Sequence, residues 1–314
     1  MSVAFIFPGQ GSQSVGMMKS FAHLPSVQDT FSEASEAIGQ DLWKLAEEGP
    51  ADELNLTVNT QPVMLTAGVA LFRAWGAESG NSPDVAAGHS LGEYSALVAA
   101  GALEFSEAVS LVRFRAQAMQ EAAPAGVGAM AAILGLDDEV VREACDEASE
   151  NEDIAEAANF NSPAQVVIAG SAIAVERAIE IAKGKGAKRA IMLPMSVPSH
   201  CGLMRPAAER MRERLKTVNV RPPNIPVLHN ADVCSAVSPD AVRDALVRQL
   251  YRPVRWVETI RAMITGGTTH IVECGPGKVL AGLNKRIAPE TQSFSFGDEP
   301  AFRAALAALK QGET

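Results

Sequence analysis

The chain has 314 residues, 47% hydrophobic and 20% charged, enough for one large α/β domain with a smaller unit and a sizeable core. A net charge of −10 argues against nucleic acid or an anionic membrane as the main partner, because phosphates are repelled at long range, and any anionic ligand then needs a local basic patch. Cys145, Cys201, Cys234 and Cys274 are scattered, with no Cys-x-x-Cys pair or His/Cys cluster at ligand spacing, so neither a zinc site nor a disulfide framework is indicated and reduced cytoplasmic thiols are expected.

Residues 3–7 read as a buried strand, too short for the apolar region of a signal peptide, and no later segment approaches a membrane span. Pro8-Gly9-Gln10-Gly11-Ser12-Gln13 follows as a glycine-rich loop. It lacks the Gly-Lys-Ser/Thr ending that cradles phosphates, which leaves a structural turn or a role for Gln10. Helical periodicity covers 26–38 and 61–75, and Ser82-Pro83-Asp84 turns the chain into an apolar strand. That strand enters Gly88-His89-Ser90-Leu91-Gly92 and then directly a helical pattern at 94–100. The pentapeptide alone is weakly specific, but strand, sharp turn and helix together form a nucleophile elbow with Ser90 as nucleophile. At a helix N-terminus the Leu91 N–H is the expected oxyanion donor.

The helical segment 106–122 carries an apolar stripe of Ala108, Leu111, Val112, Ala116 and Met119, and Arg115 falls inside it. A buried arginine needs a partner for its fork: an internal Asp or Glu, or a substrate carboxylate. From residue 129 the order becomes strand, helix, strand, strand, helix, strand, with Asn161-Ser162-Pro163-Ala164 as a hairpin turn, Gly184 and Gly186 ending the second helix, and the last strand at 189–193. This βαββαβ order predicts a ferredoxin-like unit inserted into the larger one, with the site in the cleft between them. Among five histidines, His200 leads as base, because two prolines stiffen its loop at the unit boundary. His89 is read as packing and His23 as a surface helical residue, while His229 and His270, at strand ends, remain alternatives. No acid is marked to orient the base. Helices at 204–217, 240–251 and from 256 to Gly266, with strands at 225–228 and 269–274, complete the α/β unit at Gly275-Pro276-Gly277, and the tail 311–314 is expected to fray.

Five motifs in order resemble the malonyl-CoA:acyl carrier protein transacylases, the acyltransferases of type II fatty acid synthesis. They are Phe7-Pro8-Gly9-Gln10-Gly11-Ser12-Gln13, Gly88-His89-Ser90-Leu91-Gly92-Glu93-Tyr94-Ser95-Ala96, Val197-Pro198-Ser199-His200, Gln249-Leu250-Tyr251-Arg252-Pro253-Val254-Arg255-Trp256 and Glu273-Cys274-Gly275-Pro276-Gly277. The resemblance implies an α/β-hydrolase-like parallel-sheet domain, here 1–125 and 196–314, with an inserted ferredoxin-like subdomain at 126–195. It implies Ser90 as the acylated nucleophile, His200 as general base and later acid, and a backbone carbonyl at Gln249 holding the second histidine nitrogen. Gln10 would join the Leu91 N–H in the oxyanion hole, Arg115 would clamp the malonyl carboxylate, and Gln61 would line the substrate site.

The implied reaction is ping-pong malonyl transfer from malonyl-CoA to the phosphopantetheine thiol of acyl carrier protein, with no metal or cofactor, by a cytoplasmic monomer that binds neither nucleic acid nor membrane. Carrier proteins are usually acidic, so Lys188, Arg189, Lys278, Lys285 and Arg286 are candidates for a basic rim. A serine esterase or thioesterase competes, as do a trans-acting polyketide acyltransferase and a non-catalytic carrier-binding module. Arg115 disfavours simple hydrolysis, and intact Ser90 and His200 disfavour a pure binder. Val197-Pro198-Ser199 resembles the fatty-acid enzymes, so malonyl is expected over methylmalonyl.

Overall fold

The computed structural model describes residues 1–79, 81–124, 126–195 and 197–310. The expected unit boundaries at 125 and 196 and the tail 311–314 lie outside the described residues. The first strand, β1 (Val3–Phe7), is buried along four of its five residues, as befits a parallel strand covered on both faces. A 3₁₀ turn leads to α1 (Pro25–Ile38), which starts on a proline and stops at left-handed Gly39. Next come α2 (Leu42–Glu48), α3 (Ala51–Asn55) and the long α4 (Thr57–Ser79). The elbow follows as β2 (Val85–Gly88) and α5 (Gly92–Ala99), then α6 (Phe105–Ala122), whose N-terminal N–H groups are capped by Glu104.

The small unit comprises β3 (Gly128–Leu134), α7 (Asp138–Ala148), β4 (Ala155–Ser162), β5 (Gln165–Ser171), α8 (Ala172–Gly184) and β6 (Arg189–Met192). Its antiparallel order β4-β5-β3-β6 is that of the expected ferredoxin-like sheet. The chain then returns to the large unit with α9 (Arg205–Leu215), β7 (Val227–Leu228), α10 (Pro239–Gln249), α11 (Trp256–Thr265) and β8 (His270–Glu273). It does not finish at Gly277 as expected: α12 (Val279–Ile287), β9 (Gln292–Ser295) and α13 (Glu299–Lys310) follow. Strand β9 becomes the edge of the parallel sheet β7-β2-β1-β8-β9. These added elements complete the core, where Phe296 and Phe302 meet Trp75 and Phe5 in an aromatic cluster with centroids 4.8–6.2 Å apart. Among the described residues no helix is long and apolar enough to cross a membrane.

Register positions the site. Phe7 pairs with Gly88, so the loop after β1 and the elbow after β2 leave the same sheet edge side by side. Their backbones touch: a Cβ on Gly9 would lie 2.4 Å from the His89 carbonyl oxygen, and one on Gly92 would lie 2.0 Å from that of Phe7. Glycine is required at both positions by space.

Candidate active site

Ser90 sits on the elbow with φ of 52°, a left-handed conformation that costs a residue with a Cβ on the order of 1–3 kcal/mol. Its Oγ lies 2.7 Å from His200 Nε2. His200 is 3% exposed and also left-handed, at φ 65°. The missing acid is replaced by a helix end. The last carbonyls of a helix have no partner within it, and two at the end of α10 take up His200: its Nδ1 lies 2.8 Å from the Gln249 oxygen and its N–H donates to Leu250 at 3.0 Å. A carbonyl only accepts, so Nδ1 carries the proton and Nε2 offers its lone pair to Ser90. Burial, reinforced by the nearby Arg115 charge, pushes the imidazole down to about 3 against the opposing pull of the Gln249 carbonyl. It is therefore a neutral base at neutral pH.

Arg115 is 1% exposed, on the apolar stripe of α6. Among the described residues no carboxylate pairs with it, which removes the internal ion pair as its explanation. Its guanidinium donates to Gln61 Oε1 at 2.8 Å, to Gln249 Oε1 at 3.0 Å and to Ser90 Oγ at 3.4 Å, while its Nε has no partner. A cation held only by neutral groups beside a nucleophile is a site prepared for an anion.

These side chains open on a cavity of about 430 Å³ between the two units. Gln10, Gln61, Ser90, Leu91, Arg115 and His200 line it from the large unit, and Met130, Asn159, Asn161, Val167 and Leu193 from the small one, so the predicted cleft is present. Gln10 donates to Thr57 Oγ1 at 3.3 Å, leaving its second amide hydrogen for the cavity. The side chain of Gln249 was not foreseen: it accepts from Arg115 while its Nε2 donates to the Ser90 carbonyl at 2.8 Å. No local signal marks it, since both side-chain contacts reach residues more than a hundred positions away.

The other histidines fall away. His89 packs on the Trp256 edge at 5.4 Å, with its Nε2 2.8 Å from Asn161 Oδ1. His229 is buried against Glu93, and His270 begins β8 at the sheet end opposite the elbow. His23 is exposed, but in a turn rather than a helix, and pairs with Glu299 at 3.4 Å. None of Lys188, Arg189, Lys278, Lys285 and Arg286 lines the cavity, and all five are exposed.

An elbow serine, a histidine oriented by a backbone carbonyl and an inserted ferredoxin-like unit define a serine acyltransferase, and residues 4–292 match the family described as acyl transferase domain. The chain belongs to this family and, within it, to the malonyl CoA-acyl carrier protein transacylases. It is 53% identical over 304 residues, 96% of this chain and 98% of the relative, to the malonyl CoA-acyl carrier protein transacylase of Escherichia coli strain K12. The Bacillus subtilis protein of the same description is 45% identical over 98% of each chain. The acyl-carrier-protein S-malonyltransferase structure from Burkholderia pseudomallei superposes with a TM-score of 0.96 at 58% identity, covering 98% of this chain and 100% of that one.

Proposed function

We propose that this chain transfers the malonyl group of malonyl-CoA to the phosphopantetheine thiol of acyl carrier protein, supplying fatty acid synthesis, through a malonyl ester on Ser90. The observation that carries the reading is Arg115, a buried cation with no carboxylate partner among the described residues, 3.4 Å from the nucleophile.

The thioester carbonyl lies over Ser90 with its free carboxylate on the Arg115 fork. His200 Nε2 takes the serine proton as Oγ bonds to the carbonyl carbon, and the carbonyl electron pair moves onto oxygen. The oxyanion faces the Leu91 N–H and the Gln10 amide. Collapse breaks the carbon–sulfur bond, and the imidazolium returns its proton to the CoA sulfur. The carrier thiol then attacks the malonyl-serine ester by the same steps in reverse. Neutral His200 supports the first proton transfer, and the carbonyl on Nδ1 supports the imidazolium that forms. Gln249 ties base, nucleophile and clamp into one unit, and Gln61 holds the clamp from the other side. The chemistry uses no cofactor beyond the two substrates. The reading includes a cytoplasmic monomer, no nucleic-acid or membrane partner, the net charge of −10 opposing both phosphate-rich surfaces, and a carrier docked on the exposed basic residues outside the cavity. A relative 48% identical is described as the malonyl-transacylase in complex with a type II polyketide carrier, which fits a division in which the carrier surface, not the dyad, sets the pathway.

Intact-protein mass spectrometry after brief exposure to malonyl-CoA tests this. One malonyl adduct is expected, absent in Ser90→Ala, poorly replaced by acetyl-CoA and discharged by holo acyl carrier protein. Steady release of free CoA without an adduct would instead assign hydrolysis.

A further inference from the structure

We propose that Asn230 is a positioning residue that locks the nucleophile elbow, and that Glu93 and His229 lock Asn230 in turn. The Ser90 N–H lies past the end of β2 and before α5, so neither the sheet nor the helix ladder satisfies it. Its left-handed φ of 52° must be held by something outside those two elements. The Asn230 side chain does both. Its Oδ1 accepts from the Ser90 N–H at 2.7 Å, and its Nδ2 donates to the Gly88 carbonyl at 2.6 Å. A carboxamide is the side chain that offers an acceptor and a donor on one rigid plane, and here it bridges the backbone on either side of His89.

Sheet register explains why residue 230 is there. Strand β7 pairs with β2, Ala87 opposite Leu228, so two residues further on Asn230 stands beside the elbow. The backbone that carries this carboxamide is held in turn. Asn230 N–H donates to Glu93 Oε2 at 2.9 Å, and His229 Nδ1 lies 2.8 Å from Glu93 Oε1. Glu93 occupies the first turn of α5, the helix the elbow leads into, and is fully buried. One carboxylate therefore ties the segment after β7 to the helix after Ser90. The Asn230 carbonyl accepts from Arg255 N–H at 3.1 Å, so both backbone polar groups of residue 230 are bonded. Asn230 is 1% exposed and does not line the cavity, so it acts on the reaction through Ser90 and not through substrate.

This inference rests on the malonyl-transfer reading, and the experiment separates the two. Pre-steady-state acylation by malonyl-CoA is measured for wild type, Asn230→Ala and Asn230→Asp, with circular dichroism as the check on folding. Aspartate keeps the acceptor for Ser90 but loses the donor to Gly88. The expected result is an acylation rate lowered about 10- to 100-fold in Asn230→Ala, the scale of a nucleophile displaced by roughly an ångström. The KM for malonyl-CoA should stay within about twofold, because the Arg115 clamp is untouched. Asn230→Asp should fall between, and it carries the test alone if the alanine variant does not fold. Wild-type acylation in either folded variant, or a raised KM at unchanged kcat, overturns the inference. Failure of the wild type itself to form the malonyl ester would instead overturn the functional reading.

Discussion

At the scale of single residues, Arg115 carries opposite consequences for stability and for function. A guanidinium removed from water with one nitrogen unpartnered destabilises the empty protein, while the same charge selects a dicarboxylic acyl group. Arg115→Met, which nearly conserves volume, should therefore raise the melting temperature of the unliganded enzyme and lower malonyl acylation by at least about 100-fold. Thermal melts and the adduct assay read both, and a variant that melts lower would contradict the buried-charge account. Arg115 was legible in the sequence because a charge on an apolar helical stripe is a local anomaly. Ser90, Leu91 and His200 were legible from motifs, elbow and loop chemistry. The Gln249 side chain and Asn230 were not. Nothing within several residues of either departs from an ordinary helix or loop, and their roles exist only once α10 and β7 are brought against the elbow.

At the scale of elements, the end of α10 does the work that a third acidic residue does elsewhere. Free carbonyls at a helix C-terminus present partial negative charge, enough to orient an imidazole and to support it once protonated, but not enough to overcome burial and the Arg115 charge beforehand. The sign of the pH response follows. The competent base is the neutral form, and with its pKa near 3 instead of the ordinary 6.5 it stays neutral as pH falls through 6.5. The kcat/KM for malonyl-CoA should thus show no step at pH 6–7, and a halving near 6.5 would mean an ordinary solvated histidine. Long periodic elements were read to within a few residues. Helices α2 and α3 were not, since seven and five residues hold too few turns for a period. The stretch α12, β9 and α13 is less legible for another reason: Gly275-Pro276-Gly277 reads as a closing turn, and the apolar continuation through Phe294, Phe296 and Phe302 is too sparse to show a period.

At the scale of the molecule, the charge of −10 and an acidic carrier repel, so productive encounter depends on a local reversal of sign. Lys285 and Arg286, exposed on the last turn of α12, are the pair to test. Reversing both to glutamate should raise the KM for acyl carrier protein at least about fivefold at low salt and less at high salt, with acylation by malonyl-CoA unchanged. An unaltered KM would place the docking surface elsewhere. The two-sheet architecture has a further consequence. Ser90, His200 and Arg115 all project from the large unit, whereas Met130, Val167 and Leu193 wall the same cavity from the small unit. The bond-making groups therefore lie in the large unit, while the apolar wall is shared, with Leu91 and Met119 from the large unit facing Met130, Val167 and Leu193 from the small one. Mutational drift in the inserted segment can reshape which acyl group fits without disturbing the proton relay, and a designer seeking bulkier extender units would begin with the three wall residues of the small unit and leave the elbow alone.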